Sequence, residues 1–167
     1  VRLKGGDPML FGRADEELRA LEEAGIDVEV VPGITTALAA AAATQQPLTK
    51  RGVSRSVAFF TSSTAPGEAD QTRIPDCDTL VQYMGGREAI ATAQRLLAQG
   101  RPATTPVVVI ENCSRPDQRI VRLPLSALAH GLGDAHGPVL VMLGEAMATR
   151  AQQAIDAPQG VPARRHA

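Results

Sequence analysis

The sequence predicts an α/β protein, a mixed sheet with helices packed over it, and three observations point there. Short apolar runs bounded by turn residues alternate with helical segments along the chain. Apolar residues make up 44% and charged residues 21%, the balance of a globular protein, and 167 residues are enough to bury a real core. One Tyr, three Phe and no Trp leave that core to Val, Leu, Ile and Ala.

Val1-Arg2-Leu3 reads as the end of a strand whose earlier neighbours are absent, because the chain begins without an initiator Met. A loop over 5–12 follows. Asp15, Glu16 and Glu17 then place three carboxylates in the first turn of a helix, where they complement its dipole, and Gly25 is suited to stop it. Val28 to Val31 is expected to form a short buried strand, turned by Pro32-Gly33 into an Ala-rich helix with Thr35 or its neighbour as N-cap. After Pro47 and a basic stretch (Lys50, Arg51, Arg55), strands are expected over 56–61 and 79–84, with a long loop over 62–77 between them. A helix over 87–99 ends at Gly100, and 106–112 is a strongly apolar strand. Then come a strand over 118–122, a short helix over 125–130 and a last buried strand over 138–143, which leaves room for an antiparallel member near the end. The polar tail from about Ala148 is expected to be flexible.

Composition also bounds function. A formal net charge of −1 gives no overall reason to expect nucleic acid, and the scarcity of aromatics argues against base stacking. Cys77 and Cys113 match no metal spacing and read as free thiols of a reducing compartment. No apolar run nears the roughly 20 residues that cross a bilayer, so the default is a cytoplasmic protein without a membrane partner. His130, His136 and His166 lie late in the chain, in no ligand spacing, so no metal is expected. The phosphate-binding P-loop and the Gly-x-Ser-x-Gly elbow are both absent.

Chemistry concentrates in the turns that follow strands. Gly5-Gly6-Asp7-Pro8 lets a ligand approach backbone without a Cβ in the way, and Asp7 can accept hydrogen bonds from an ammonium or hydroxyls. Taken alone, it is better read as a tight turn with an Asp cap. Val30-Val31-Pro32-Gly33-Ile34-Thr35-Thr36 repeats the arrangement one unit later, where amides and hydroxyls at a helix start can bind a carboxylate or ribose, or simply cap the helix. Met84-Gly85-Gly86 and Glu111-Asn112-Cys113-Ser114 put soft or small side chains at two further strand ends. By itself Met84 is the residue of a core, and Cys113 an inert thiol.

Taken together these segments resemble a family. Arg2-Leu3-Lys4-Gly5-Gly6-Asp7-Pro8, Phe11-Gly12-Arg13, Glu16-Glu17-Leu18, Ala24-Gly25-Ile26, Val30-Val31-Pro32-Gly33-Ile34-Thr35, Pro47-Leu48-Thr49, Tyr83-Met84-Gly85 and Glu111-Asn112 are similar, in order and spacing, to uroporphyrinogen-III C-methyltransferase, a tetrapyrrole methylase of siroheme and cobalamin synthesis. The resemblance runs from residue 1 to about 147. It implies a tetrapyrrole methylase-like fold, with 1–50 the end of the N-terminal α/β domain, 51–147 a complete C-terminal mixed α/β sheet domain and 148–167 a tail. It further implies a homodimer binding S-adenosylmethionine between the domains and methylating uroporphyrinogen III at C2 and C7 to give precorrin-2. By position, Gly5, Gly6, Asp7, Leu10, Thr35, Thr36, Met84 and Cys113 would line the cofactor site, with Val139 a further candidate.

Three departures from the family pattern stand out. Gln45-Gln46-Pro47-Leu48-Thr49-Lys50-Arg51 stands where the family often has Gly-Ile-Pro-Leu-Thr-His-Arg, Thr61-Ser62-Ser63 where it has Thr-Gly-His, and Cys113 where it has Gly. The family's glycine-rich N-terminal strand and loop, with its proposed acid and base, has no counterpart here. No catalytic residue is therefore assigned, and the fragment itself is expected to be inactive. Two alternatives stay open: a methylase of a later precorrin, and a non-catalytic module for cofactor binding or dimerisation. Arg2, Lys4, Arg13, Lys50, Arg51 and Arg55 can face the carboxylates of a porphyrinogen or simply be solvated.

Overall fold

The computed structural model describes residues 1–63, 73–133 and 135–149. The elements are α1 (Ala14–Glu23), α2 (Thr36–Thr44), β1 (Val57–Thr61), β2 (Thr79–Tyr83), α3 (Gly85–Ala98), β3 (Pro106–Glu111), β4 (Arg119–Pro124), α4 (Leu125–Leu128), β5 (Val139–Leu143) and a 3-10 turn at Glu145–Met147. The strands form one mixed sheet in the order β1-β2-β5-β3-β4. Only β1 and β2 are parallel; β5 inserts antiparallel between β2 and β3, and β4 pairs antiparallel with β3.

Both faces of the sheet are covered, which is why β2 and β5 are buried at every residue and β3 at all but its first. Successive side chains point to opposite faces. Leu80, Val107, Val109, Val141 and Leu143 meet Ala89, Ala93 and Leu96 of α3 and Leu125 and Leu128 of α4. Val81, Tyr83, Val108, Ile110, Leu140 and Met142 meet Ala37 and Ala40 of α2, with Leu48, Ala146 and Met147. The alanines of α2 thus let the helix lie close to the sheet. On the other face α3 starts at Gly85, two residues before the position expected from sequence. A Cβ there would stand 3.0 Å from Val141 Cγ2, so a glycine allows the helix to begin directly over β5. Arg119 and Arg122 line the edge strand β4.

Three expectations are corrected. Val1–Leu3 and Val28–Val31 belong to no strand, and Val1, Leu3, Val28, Val30 and Val31 are exposed, Val31 at 72%. A strand needs a neighbour for its amides and carbonyls, and no described residue pairs with either segment. The helix expected over 125–130 stops at Leu128, after which Gly131 N–H closes onto the Leu128 carbonyl. Helix α1 has its three acidic residues in the first turn and Gly25 beyond its C-cap at φ 66°, but it buries no residue. The expectations for residues 64–72 of the long loop and for the tail beyond Thr149 lie outside the described residues.

Candidate functional site

The Gly5-Gly6-Asp7 turn and the Pro32–Thr36 turn sit against each other. Asp7 Oδ1 accepts the Met9 amide at 2.8 Å, closing its own turn, and Oδ2 accepts the Gly33 amide at 3.0 Å, tying one turn to the other. Each oxygen keeps a second lone pair. The turns approach so closely that a Cβ on Gly33 would lie 2.1 Å from the Gly6 carbonyl oxygen; Gly6 itself has φ 75°, open to glycine without strain. Lys4 staples the loop at its base: its side chain is 14% exposed, and its ammonium donates to the Gly12 carbonyl and pairs with Glu17 at 2.7 Å. That hydrogen bond from Lys4 holds the Glu17 carboxyl below its ordinary range. Arg2 also pairs with Glu17, and Arg13 with Glu16, so three of the basic side chains read from the sequence are matched to α1 carboxylates.

Helix α2 opens in an unusual way. Thr35 is its N-cap and its backbone is extended there, yet the Thr35 side chain makes no cap bond. The Ala37 amide instead donates to the phenol oxygen of Tyr83, 3.1 Å away and 46 residues on, and the same phenol bonds Thr35 Oγ1. Phe11, in the first loop, lies 4.8 Å from the Tyr83 ring, and Phe59 of β1 packs edge-on at 6.0 Å. Among the described residues, the amides of Gly5, Gly6 and Thr36 and the Thr36 hydroxyl have no protein partner.

The C-terminal ends of β2 and β3 and the start of β5 share one edge of the sheet. Met84 follows Tyr83 there in the left-handed conformation, φ 54°, with 49% of its surface exposed. Cys113 and Leu10 both pack against the α2-side cluster. Leu10 and Cys113 thus share the face of the sheet that carries α2, Thr35 bonds Tyr83, and Met84 follows Tyr83 in the chain. Val139 shares the sheet edge, but its side chain packs in the α3-side cluster, near Gly86, and lines a cavity of about 40 Å³ beside Glu111 and Arg119. That cavity is too small for a cofactor.

Glu111 closes the same edge. Its carboxylate accepts the His136 and Gly137 amides and the Arg119 guanidinium. The His136 amide, with Arg119, holds it below the ordinary range against the opposing pull of burial. Asn112 takes φ 52° and donates to Asp117 at 2.7 Å, and its Oδ1 stands where a Cβ on Gly137 would be, 2.0 Å away. Among the described residues no three His, Cys, Asp or Glu side chains gather as a metal would require, and no helix is long and apolar enough to cross a membrane.

The family model for Tetrapyrrole (Corrin/Porphyrin) Methylases matches residues 1–129. The chain belongs to the tetrapyrrole methylase family. It is 44% identical over 148 residues to siroheme synthase 2 of Yersinia pestis (strain Pestoides F), covering 87% of this chain and 31% of that protein. It is 42% identical over 153 residues to the chloroplastic S-adenosyl-L-methionine-dependent uroporphyrinogen III methyltransferase of Arabidopsis thaliana, covering 87% and 41%. Among solved structures, the native uroporphyrin III C-methyl transferase from Thermus thermophilus superposes with a TM-score of 0.78 at 38% identity, over 87% of this chain and 63% of that one. Its complex with S-adenyl homocysteine gives 0.74, over 87% and 65%. The chain therefore spans less than half the length of either curated relative.

For a tetrapyrrole methylase, the two turns are visible in the sequence as motifs, and what joins them is not. Gly33 and Phe11 stand in the sequence only as parts of motifs, and their contacts to Gly6 and Tyr83 depend on the mutual approach of residues 27 and 72 positions apart. Tyr83 did carry a signal: it is the only tyrosine in the chain and closes a strand. A phenol in that place needs a partner for its hydroxyl.

Proposed function

We propose that the protein takes part in S-adenosylmethionine-dependent C-methylation of uroporphyrinogen III, with Gly5, Gly6, Asp7, Leu10, Thr35, Thr36, Met84 and Cys113 holding the cofactor. The observation that carries the site is a group of donors without protein partners among the described residues, the Gly5, Gly6 and Thr36 amides and the Thr36 hydroxyl, where two turns meet at a helix start. Such donors suit the carboxylate and ribose hydroxyls of the cofactor. Gly5 leaves open space, since a Cβ there would meet nothing within 4 Å. The exposed Met84 offers a polarizable apolar surface for the flat base. A Thermus relative solved with S-adenyl homocysteine supports the same choice of ligand.

Bound S-adenosylmethionine supplies an already activated methyl group on a sulfonium. The protein then has to hold an electron-rich pyrrole carbon in line with it and accept the proton lost. No described residue is assigned that proton. The test is calorimetric titration of the full-length protein with S-adenosylhomocysteine, followed by incubation with S-adenosylmethionine and uroporphyrinogen III and a mass of the product. Binding together with gain of two methyl groups is expected. Absence of binding would refute the cofactor site; binding with methylation only of a later precorrin would refute the substrate.

A further inference from the structure

We propose that Tyr83 is a positioning residue for the cofactor turns: from the end of β2 its phenol takes the place of the missing side-chain cap of α2 and fixes Thr35 against the first loop. The inference rests on the cofactor site proposed above and adds a residue outside it. Helix α2 begins at the turn whose donors are to bind the cofactor, and the direction in which those donors point is set by how the first turn of the helix is held. An N-cap threonine ordinarily holds it with its own side chain. Here Thr35 does not, and the Ala37 amide goes to Tyr83 at 3.1 Å. The phenol and the Thr35 hydroxyl also hydrogen-bond each other, and either can donate.

The phenol is therefore bonded twice to one turn, while its ring touches Phe11 of the other. Phe59 of β1 supports the ring from behind, and Tyr83 as a whole is 9% exposed. A hydroxyl so placed has its orientation decided by the sheet rather than by the turn. The sheet in turn carries Met84 on the next residue. One side chain thus sets the relative placement of three of the candidate segments: 5–12, 32–36 and the end of β2.

The experiment uses the full-length protein and S-adenosylhomocysteine. Wild-type protein is titrated first, and absence of binding there refutes the cofactor site itself. Given binding, Tyr83→Phe is expected to weaken it about tenfold, the worth of one well-placed hydrogen bond. The KM for S-adenosylmethionine should rise by the same factor, with kcat at saturation within about twofold of wild type, and the Ala37 amide should lose protection from hydrogen exchange. The comparison is Thr44→Val, which removes a buried hydroxyl bonded to the Ala40 carbonyl at the other end of the same helix. It should lower stability and leave cofactor affinity within about twofold. Equal weakening by both variants would mean general loosening of α2 and would overturn the proposal, as would wild-type affinity in Tyr83→Phe. If Tyr83→Phe does not fold, Phe59→Leu keeps the phenol and loosens its support: several-fold weaker binding is expected, and unchanged binding would overturn the proposal.

Discussion

Gly33→Ala tests the joint between the two turns most directly. A Cβ at this position would lie 2.1 Å from the Gly6 carbonyl oxygen, whereas Cβ atoms essentially never approach within 3.0 Å. The turns must then separate by close to an ångström, and the neighbour is backbone, which cannot swing aside as a side chain would. Forcing one extra carbon into a filled space costs about 1–3 kcal/mol. The separation also stretches the 3.0 Å bond from the Gly33 amide to Asp7 Oδ2. Since each 1.4 kcal/mol is a factor of about ten in affinity, S-adenosylhomocysteine should bind the full-length variant about ten- to a hundredfold more weakly. Calorimetry gives that ratio, and hydrogen exchange reports whether amides 33–37 open faster while those of the sheet do not. A folded Gly33→Ala protein with wild-type affinity would refute the claim that the two turns act as one binding element.

Gly5→Ala should behave in the opposite sense: its Cβ meets no protein atom within 4 Å, so the urea midpoint should hold or rise slightly, yet cofactor affinity should fall if that space receives the ligand. An unchanged affinity would remove Gly5 from the site. Glu111 should show in the acid limb of stability. Its carboxyl is held below the ordinary range by the His136 amide first and Arg119 second, so its contribution is complete above the unfolded value of about 4.3 and is lost as pH falls through the lower folded value. Glu111→Gln should lower the urea midpoint at neutral pH and flatten that limb; an acid limb identical to wild type would count against the reading. Gly137→Ala, whose Cβ would stand 2.0 Å from Asn112 Oδ1, should lower the melting temperature by several degrees, as expected for about 1–2 kcal/mol of overpacking; an unshifted transition would show that Asn112 swings away freely.

The sheet was largely legible because its signals are local. Pro106 to Glu111 and Val139 to Leu143 are apolar runs covered on both faces, and Gly25 and Gly100 stand beyond the ends of their helices in positive φ. Val28 to Val31 carried the same kind of signal and misled, because β-propensity states that a segment fits a pleated, half-buried surface and says nothing about whether a neighbour is present. The candidate site was legible as a set of motifs, not as a geometry. Asp7 looked like a ligand acceptor from its place in Gly-Gly-Asp, but its role as the link to Gly33 requires two backbone segments 26 residues apart to touch. Val139 could be placed at the start of a strand, whereas the face its side chain takes depends on the register with Glu111, which a single sequence does not fix.

The turns and the sheet differ in how they are held, and this decides where perturbations will appear. The sheet is fixed by two apolar clusters closed on both faces. Helix α1 buries nothing, and Gly5, Gly6, Pro32 and Gly33 are all exposed. A few polar links therefore define the turns: Asp7 to Gly33, Lys4 to Gly12 and Glu17, and Tyr83 to Thr35 and Ala37. Segments held by so few buried contacts open at free energies well below that of global unfolding. Changing one of these links should thus alter the population of the binding-ready arrangement before it alters the unfolding transition, since affinity falls in proportion to the competent fraction. Of the three, only the Tyr83 link is anchored in a buried strand. It is the polar link that ties the turns to the rigid sheet, beside the apolar packing of Leu10 and Phe11.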